Sequence, residues 1–229
     1  MKATLRIEVR EGRVVDLVAE APLCAKFSPR SSSAPDTLWI IGGAAGLLEG
    51  DDLTVDVALG RDQKLVVRSI ASQVAHPSPN RVPATFTVHA SIGTGASLAW
   101  APEPVILSAE SMYRAVARVA VAEGGTLDWR EELVFGRSGE TIDEIDIETR
   151  LLIDHGCQPA LRDGLRSTPG WRSAAVIGRA RYVGTGVRIG GTVRGGNGWT
   201  PLACQGELTR VLHEDPLEGR CQLRNRCPD

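Results

Sequence analysis

Short segments of alternating character, separated by turn signals roughly every 8 to 12 residues, constrain this chain more than any other feature. Thr4–Arg10 places Leu5, Ile7 and Val9 on one face, and Leu53–Leu59 does the same with Leu53, Val55, Val57 and Leu59. Ser111–Val121 is rich in alanine, yet Tyr113, Ala115, Ala117, Val119 and Val121 alternate with Arg114, Val116 and Arg118. A period of two belongs to a half-buried strand. No amphipathic helical pattern of ten or more residues intervenes, so parallel β/α units are disfavoured. No repeat of fixed period is evident. The residues therefore predict a mainly β chain and leave sandwich, barrel and irregular β-stack open.

Local pairings follow from the turn chemistry. Thr4–Arg10 and Val14–Val18 read as a hairpin across Glu11-Gly12-Arg13, and Lys64–Arg68 reads as pairing back on Leu53–Leu59 across Gly60-Arg61-Asp62. Ser28–Pro35 reads as a polar loop, and Gly42–Asp51 as a tight turn ending in Gly50-Asp51. At mid-chain, Trp129–Phe135, the turn Gly136–Gly139 and Thr141–Glu148 read as a hairpin with a phase slip at Asp143-Glu144, gathering Glu131, Glu132, Arg137 and Glu140 at one corner. Asp163-Gly164 carries a turn signal, and Gly184–Gly198 is glycine-rich and expected to contain a loop. Glu207–His213 reads as a last strand, and Asp215–Asp229 as room for a short terminal helix.

Composition narrows the function classes. At 229 residues the chain has length for a sizeable core, and no linker divides it, so residues 1–229 are expected to form one domain. A net charge of −2 gives no global electrostatic case for nucleic acid. The opening residues lack the apolar stretch of a signal peptide, and the longest apolar run, Leu38–Leu48, is too short to cross a bilayer. The expectation is a cytoplasmic protein without membrane contact. Five scattered cysteines (Cys24, Cys157, Cys204, Cys221, Cys227) form no Cys-x-x-Cys pair, which argues against a zinc knuckle or disulfide scaffold.

Motifs for chemistry are sparse. The glycines after Leu38–Ile41 lack the Gly-Lys-Ser/Thr ending of a phosphate loop, and no Gly-x-Ser-x-Gly elbow occurs. The histidines form no His-x-x-x-His pair. His155 with Cys157, and His213 beside two carboxylates, are weak candidates for a borderline metal. Glu103, between two prolines, lacks an assignable second carboxylate for glycoside hydrolysis. No enzymatic activity is expected. Arg162, Arg166, Arg172, Arg179, Arg181, Arg188 and Arg194, interleaved with Trp171 and Tyr182, are residue types that anchor protein interfaces, and a protein partner is favoured over nucleic acid.

Several segments, in order, resemble the UreD (UreH) urease accessory family. These are Gly42-Gly43 followed by Gly50-Asp51, Ser69–Val74, Trp100-Ala101-Pro102-Glu103-Pro104-Val105-Ile106, Glu132 to Glu140 with Gly136-Arg137 and Gly139-Glu140, and Leu161–Leu165 followed by Val176–Gly178. The resemblance covers about residues 40 to 185. The family's lysine is Gln73 here, its prolines at two positions are Ile41 and Leu107, and the first forty residues match poorly.

What the resemblance implies is a β-helix-like stack of many-stranded sheets with few short helices. It implies a non-enzymatic maturation scaffold that binds UreF, through it the GTPase UreG, and apo-urease, with a homodimer within the complex as one arrangement. Nickel would be transient cargo in an internal polar channel, with no tightly bound cofactor. Asp51, Glu132, Glu140 and Asp163 fall on matched segments as channel-lining or turn-bracing candidates, with Arg137 as a brace for Glu140. Arg162, Arg166, Trp171, Arg179 and Arg181 are the partner-interface candidates. Two other readings stand beside this one: a carbohydrate- or protein-binding module with Trp39, Trp100, Trp129 or Trp171 in an exposed row, and a β-helix hydrolase with two opposed carboxylates in a cleft.

Overall fold

A computed structural model describes the chain except residues 32–34, 45, 141–144, 168–169, 192–194, 197 and 228–229. In order, the elements are β1 (Lys2–Arg10), β2 (Arg13–Ala19), β3 (Leu23–Ser28), β4 (Thr37–Gly42), β5 (Asp52–Leu59), β6 (Lys64–Ser69), β7 (Gln73–Ala75), β8 (Ala84–Ile92) and β9 (Ser97–Trp100). There follow β10 (Val105–Leu107), β11 (Met112–Val121), β12 (Thr126–Phe135), β13 (Asp146–His155), β14 (Gln158–Arg166), β15 (Tyr182–Ile189), β16 (Trp199–Pro201), β17 (Gly206–His213) and the helix α1 (Pro216–Arg226). None of the described helices is long and apolar enough to cross a membrane.

The strands form stacked sheets wound like a solenoid. The first sheet runs β14-β13-β11-β8-β5-β1-β2, and its five inner strands are parallel. The second runs β16-β17-β15-β12-β9-β6-β4-β3, with β4, β6, β9 and β12 parallel. A short third ladder joins β7, β10 and the end of β12. The chain climbs from first sheet to second to third ladder and back, as in β5–β6–β7 and again in β8–β9–β10. Parallel neighbours without crossover helices arise because each return passes through another sheet.

Register is held by the pattern. Ile7, Val57, Ala90, Val119 and Ile153 stack in one row across the first sheet, facing the second sheet's Leu65, Leu98 and Leu127 in a common core. A slip of one residue would bring the neighbouring row, with Asp56, His89 and Arg118, into that core. The turns stack as tightly. A Cβ on Gly93 would lie 2.9 Å from the Gly60 carbonyl carbon, so the loops between first and second sheet coil directly on one another.

Two expected pairings and one expected turn are corrected. Leu53–Leu59 and Lys64–Arg68 lie in different sheets, and β5 pairs with β1 and β8 instead. The mid-chain hairpin is likewise absent. β12 lies beside β9 and β15 in the second sheet, and β13 beside β11 and β14 in the first. Each strand has its own apolar face, and two packed sheets bury both; Gly136–Gly139 is a corner between them. Residues 141–144 of that reading, with the proposed slip, lie outside the described residues. Asp163-Gly164 is not a turn but the interior of β14. The β1–β2 hairpin, the β11 strand, β17 and the terminal helix stand as read.

The helix α1 begins where its local chemistry directs. Asp215 accepts from the Leu217 and Glu218 N–H groups at 2.8 and 3.3 Å, Pro216 follows at the first position, and Arg224 and Arg226 sit in the last turn. It lies across β15 at Gly184 and Gly186, where added Cβ atoms would meet Leu223 Cδ2 at 2.8 Å and Cys227 Sγ at 2.5 Å. Gly184–Ile189 is therefore strand, and its glycines serve close approach rather than a loop.

Candidate functional site

A cavity of about 100 Å³ lies between the sheets, along the stack from Ile40 and Ser69 at one end to Asp163 and Arg210 at the other. It falls well below the ~300–1,000 Å³ of pockets made for drug-sized ligands and exceeds the space a few waters need. β12 supplies its central wall. Trp129, stacked on Trp100 at 4.9 Å, shares a phase with Glu131 and Leu133, and both of these line the cavity. Arg130 and Glu132 have the opposite phase and face α1.

The wall is interrupted. The β9–β12 ladder ends at Trp100↔Trp129 and the β10–β12 ladder starts at Val105↔Leu133. Ala101–Pro104 leave the ladder between them, as two prolines in four residues require. Opposite this gap Glu132 and Glu103 both reach the cavity's lining.

Glu131 carries the strongest electrostatic signature. Burial pushes its carboxyl up to about 7, the Trp129 indole N–H pulls against that, Asp163 adds to the rise and Arg210 opposes it. Its remaining exposed surface opens on the cavity. Thr185 and Arg210 continue the same row across β15 and β17. Arg210 pairs with Asp163 of the opposite sheet and approaches Thr185 Oγ1 at 3.4 Å, closing one end of the cavity. Burial, then the Glu131 charge, hold the Tyr113 hydroxyl protonated well above its usual range.

Glu132 belongs to a second network. Its side chain is fully buried and accepts from the Tyr182 hydroxyl at 2.9 Å; Arg130 Nε lies 3.2 Å from Oε1 and Arg220 Nε 3.4 Å from Oε2. Burial raises its pKa, against the Tyr182 bond and the charges of Arg130, Arg220 and Arg224. Arg220 also pairs with Glu103, which Arg224 Nη2 reaches at 3.2 Å. One α1 guanidinium thus bridges two carboxylates at the gap. Deeper under the helix, Arg188 pairs with Glu207 at 3.1 Å and lies over the Trp199 ring at 4.4 Å.

The expected residues divide accordingly. Glu132 and Asp163 line the cavity; Asp51, Arg137 and Glu140 do not. Asp51 closes the turn before β5, accepting from the Leu48 N–H at 2.9 Å while its own N–H donates to the Leu48 carbonyl. Glu140 accepts from the Arg137 and Ala109 N–H groups at 2.8 and 3.3 Å, contacts that lower its pKa, the Arg137 N–H most. Arg137 lies 3.8 Å from it and also meets His76.

The arginines do not gather in one patch. Arg162 pairs with Asp154 and Arg166 lies near Glu148 on the first sheet, while Arg179 pairs with Glu214. Arg181 donates to the Phe135 and Arg137 carbonyls, and Arg172 lies over Trp171, itself packed on Phe135. Arg194 lies outside the described residues. His155 and Cys157 sit at the β13–β14 hairpin tip, and His213 bonds the backbone of Asp215. Among the described residues no group of three or more His, Cys, Asp or Glu side chains is arranged to hold a metal. The five thiols are free.

Thr185, Arg210 and Arg220 are not singled out by the sequence, while Glu131 reads only as part of a charged corner and Tyr182 only as an aromatic among interface arginines. The available signal was Glu131 itself, an acid in phase with Trp129 and Leu133 on the inward face of a strand. Trp100, Trp129 and Trp171 are buried, which removes the exposed aromatic row required of a carbohydrate-binding groove.

Comparison with known proteins places these features. A family model described as UreD urease accessory protein matches residues 1–220, including the first forty, where the motif resemblance was weakest. The chain is 31% identical over 257 aligned positions to the urease accessory protein UreD of Parafrankia sp. (strain EAN1pec), covering 97% of this chain and 86% of that one. It is 32% identical over 214 positions to UreD of Frankia casuarinae, covering 80% and 67% respectively. It is 31% identical over 195 positions to UreD 3 of Streptomyces griseus subsp. griseus, covering 80% and 75%.

Proposed function

The chain belongs to the UreD urease accessory family, and from that premise we propose that it is a non-enzymatic scaffold that carries nickel toward apo-urease through its inter-sheet cavity. In this reading it works in the cytoplasm, binding UreF, through UreF the GTPase UreG, and the urease apoprotein, and nickel is cargo rather than cofactor. One observation carries the reading: a narrow cavity lined by Glu131 and Asp163, with Glu103 and Glu132 at a gap in its wall and no closed ligand set among the described residues. Imidazole and thiolate cages would retain a borderline dication. Carboxylates met singly or in pairs bind it weakly enough to pass it on. The cavity's size suits an ion with a few waters and not a sugar ring, which also disfavours the hydrolase reading.

The test has two stages. Co-expression with UreF is expected to yield a co-purifying complex, and absence of that complex overturns the scaffold assignment. Cells producing urease with E131Q or D163N are then expected to retain the complex but assemble urease with less nickel, measured as metal per active site. Full nickel loading with both variants overturns the role of the cavity.

A further inference from the structure

We propose that α1 is a removable plug, whose Arg220 and Arg224 close a side opening into the inter-sheet cavity at Glu103 and Glu132. The inference rests on the conduit reading only for the identity of what passes; the plug itself is argued from the fold.

The opening exists because residues 101–104 leave the ladder between β9 and β10, so that Arg130–Glu132 of β12 lack a partner strand there. Glu103 and Glu132 both line the cavity at that point. Arg220 of α1 contacts both carboxylates, and Arg224 contacts Glu103. Glu132 Oε1, fully buried, makes no well-formed hydrogen bond among the described residues. Its nearest charge is Arg130 Nε at 3.2 Å. Withdrawal of α1 would leave two carboxylates facing that one remaining guanidinium at the threshold, an arrangement that attracts a cation.

The helix is built to leave. Its buried residues are Gly219 and Leu223, while Leu217 is 75% exposed. Burying one leucine contributes about 1.5–3 kcal/mol, and an isolated helix of this length is marginal in water. Ion pairs with Glu103, itself partly exposed, hold the middle of the helix and are screened by salt, while its end is tied by Arg226 to Thr209 Oγ1 at 3.0 Å and by the buried Cys227 that follows. Strands β12 and β15 beneath are held chiefly by their backbone ladder.

The experiment uses the whole chain carrying V105C, a half-buried position that lines the cavity beside the gap. Its labelling by a small cationic thiosulfonate is followed by mass mapping, which separates the introduced thiol from the five native ones. R220Q/R224Q removes the plugging charges. G219A dislodges the helix by size alone, since its Cβ would stand 2.4 Å from the Tyr182 ring. Each is expected to raise the labelling rate about tenfold or more, the cationic reagent gaining more than a neutral analogue. In the unsubstituted protein, added salt is expected to speed amide exchange in 217–227 and leave β12 and β15 protected. Unchanged labelling in both backgrounds, or α1 amides as protected in salt as without it, overturns the plug. Should R220Q/R224Q fail to fold, G219A and the salt experiment decide. No readout involves urease or UreF, so loss of the maturation reading leaves this result standing, and loss of the plug leaves that reading intact.

Discussion

Replacing Glu131 by glutamine tests whether the cavity's central carboxyl is as isolated from water as its surroundings imply. Burial between the sheets, against the Trp129 indole and the Arg210 charge and with Asp163 adding to it, raises this carboxyl from 4.5 to about 7. A carboxyl raised in the folded chain stabilises it fully below the unfolded pKa, and that contribution is lost as pH rises through the folded value. At about 1.4 kcal/mol per pKa unit, the full contribution is on the order of 3 kcal/mol, of which about 2.5 kcal/mol disappears between roughly pH 5 and pH 8. The glutamine amide cannot ionise, so E131Q is expected to gain stability relative to the parent as pH rises across that window, by up to about 2 kcal/mol after allowing for water in the cavity. Urea denaturation of both proteins at the two pH values measures it. The groups facing Glu131 are Tyr113 on β11, Asp163 on β14, Arg210 on β17 and Trp129 beside it, and the Tyr113 hydroxyl stays protonated throughout the window. A stability difference between parent and E131Q that is the same at both pH values would refute the argument.

Other outcomes follow from the same geometry. G184A places a Cβ 2.6 Å from the Tyr182 hydroxyl and 2.8 Å from Leu223 Cδ2, and is expected to destabilise the chain by about 1–3 kcal/mol in thermal melting. The Glu140 carboxyl is held below its usual range, so what it contributes is present above the unfolded pKa of 4.5 and lost as pH falls through the folded value. E140Q should therefore lower the unfolding free energy measured by urea denaturation by about 1 kcal/mol near neutrality and by little in acid. Burial, with Asp128 nearby, pushes the Cys227 thiol just past α1 up to about 11, while Cys221 on the helix is exposed. Iodoacetamide at neutral pH should alkylate Cys221 far faster than Cys227, and equal rates would show that α1 does not cover the strand.

Much of the fold was legible where partners are adjacent in sequence. The β1–β2 hairpin has both strands and its turn within twenty residues, and alternation alone identified β11 against its helix-friendly alanines. Pairing failed where the partner lies a whole coil away. Gly60-Arg61-Asp62 has the chemistry of a hairpin turn, but β1 and β8 take both edges of β5 and its apolar face packs on the opposite sheet, leaving no edge for β6. Glycine misled for a related reason. Gly164 suits a turn after Asp163, yet its hydrogen lies where a Cβ would meet the Thr149 carbonyl at 2.4 Å, so it marks close strand packing. The candidate site was half legible. Glu132 and Asp163, expected as lining residues, do line the cavity, whereas Glu131, chemically identical to its neighbour, is distinguished only by the phase of β12.

Three of the four carboxylates at the cavity are ion-paired with a guanidinium, while burial holds the fourth, Glu131, toward its neutral form, and this bears on how a conduit would work. Asp163 has Arg210, Glu103 has Arg220 and Arg224, and Glu132 has Arg130 and Arg220. An unpaired carboxylate held in low dielectric would cost several kcal/mol, so a stack of β-sheet cannot keep a row of bare acids waiting for an ion. A resident arginine removes that cost and keeps the site empty of adventitious cations. A dication entering on the proposed reading must therefore displace an arginine, and the displaced guanidinium remains tethered close by to reclaim its carboxylate. Occupancy is then brief by construction, because the competing cation is covalently attached and present at high effective concentration. The two exchange points differ in kind. Arg210 sits on a strand of the second sheet, whereas Arg220 and Arg224 sit on a helix that buries only Gly219 and Leu223 and is tied at its end by Arg226. Exchange at Asp163 requires a side chain to swing, and exchange at Glu103 and Glu132 requires a helix to move. On the proposed reading, the second therefore couples the cavity to whatever displaces α1, and an ion is admitted only when the helix is engaged.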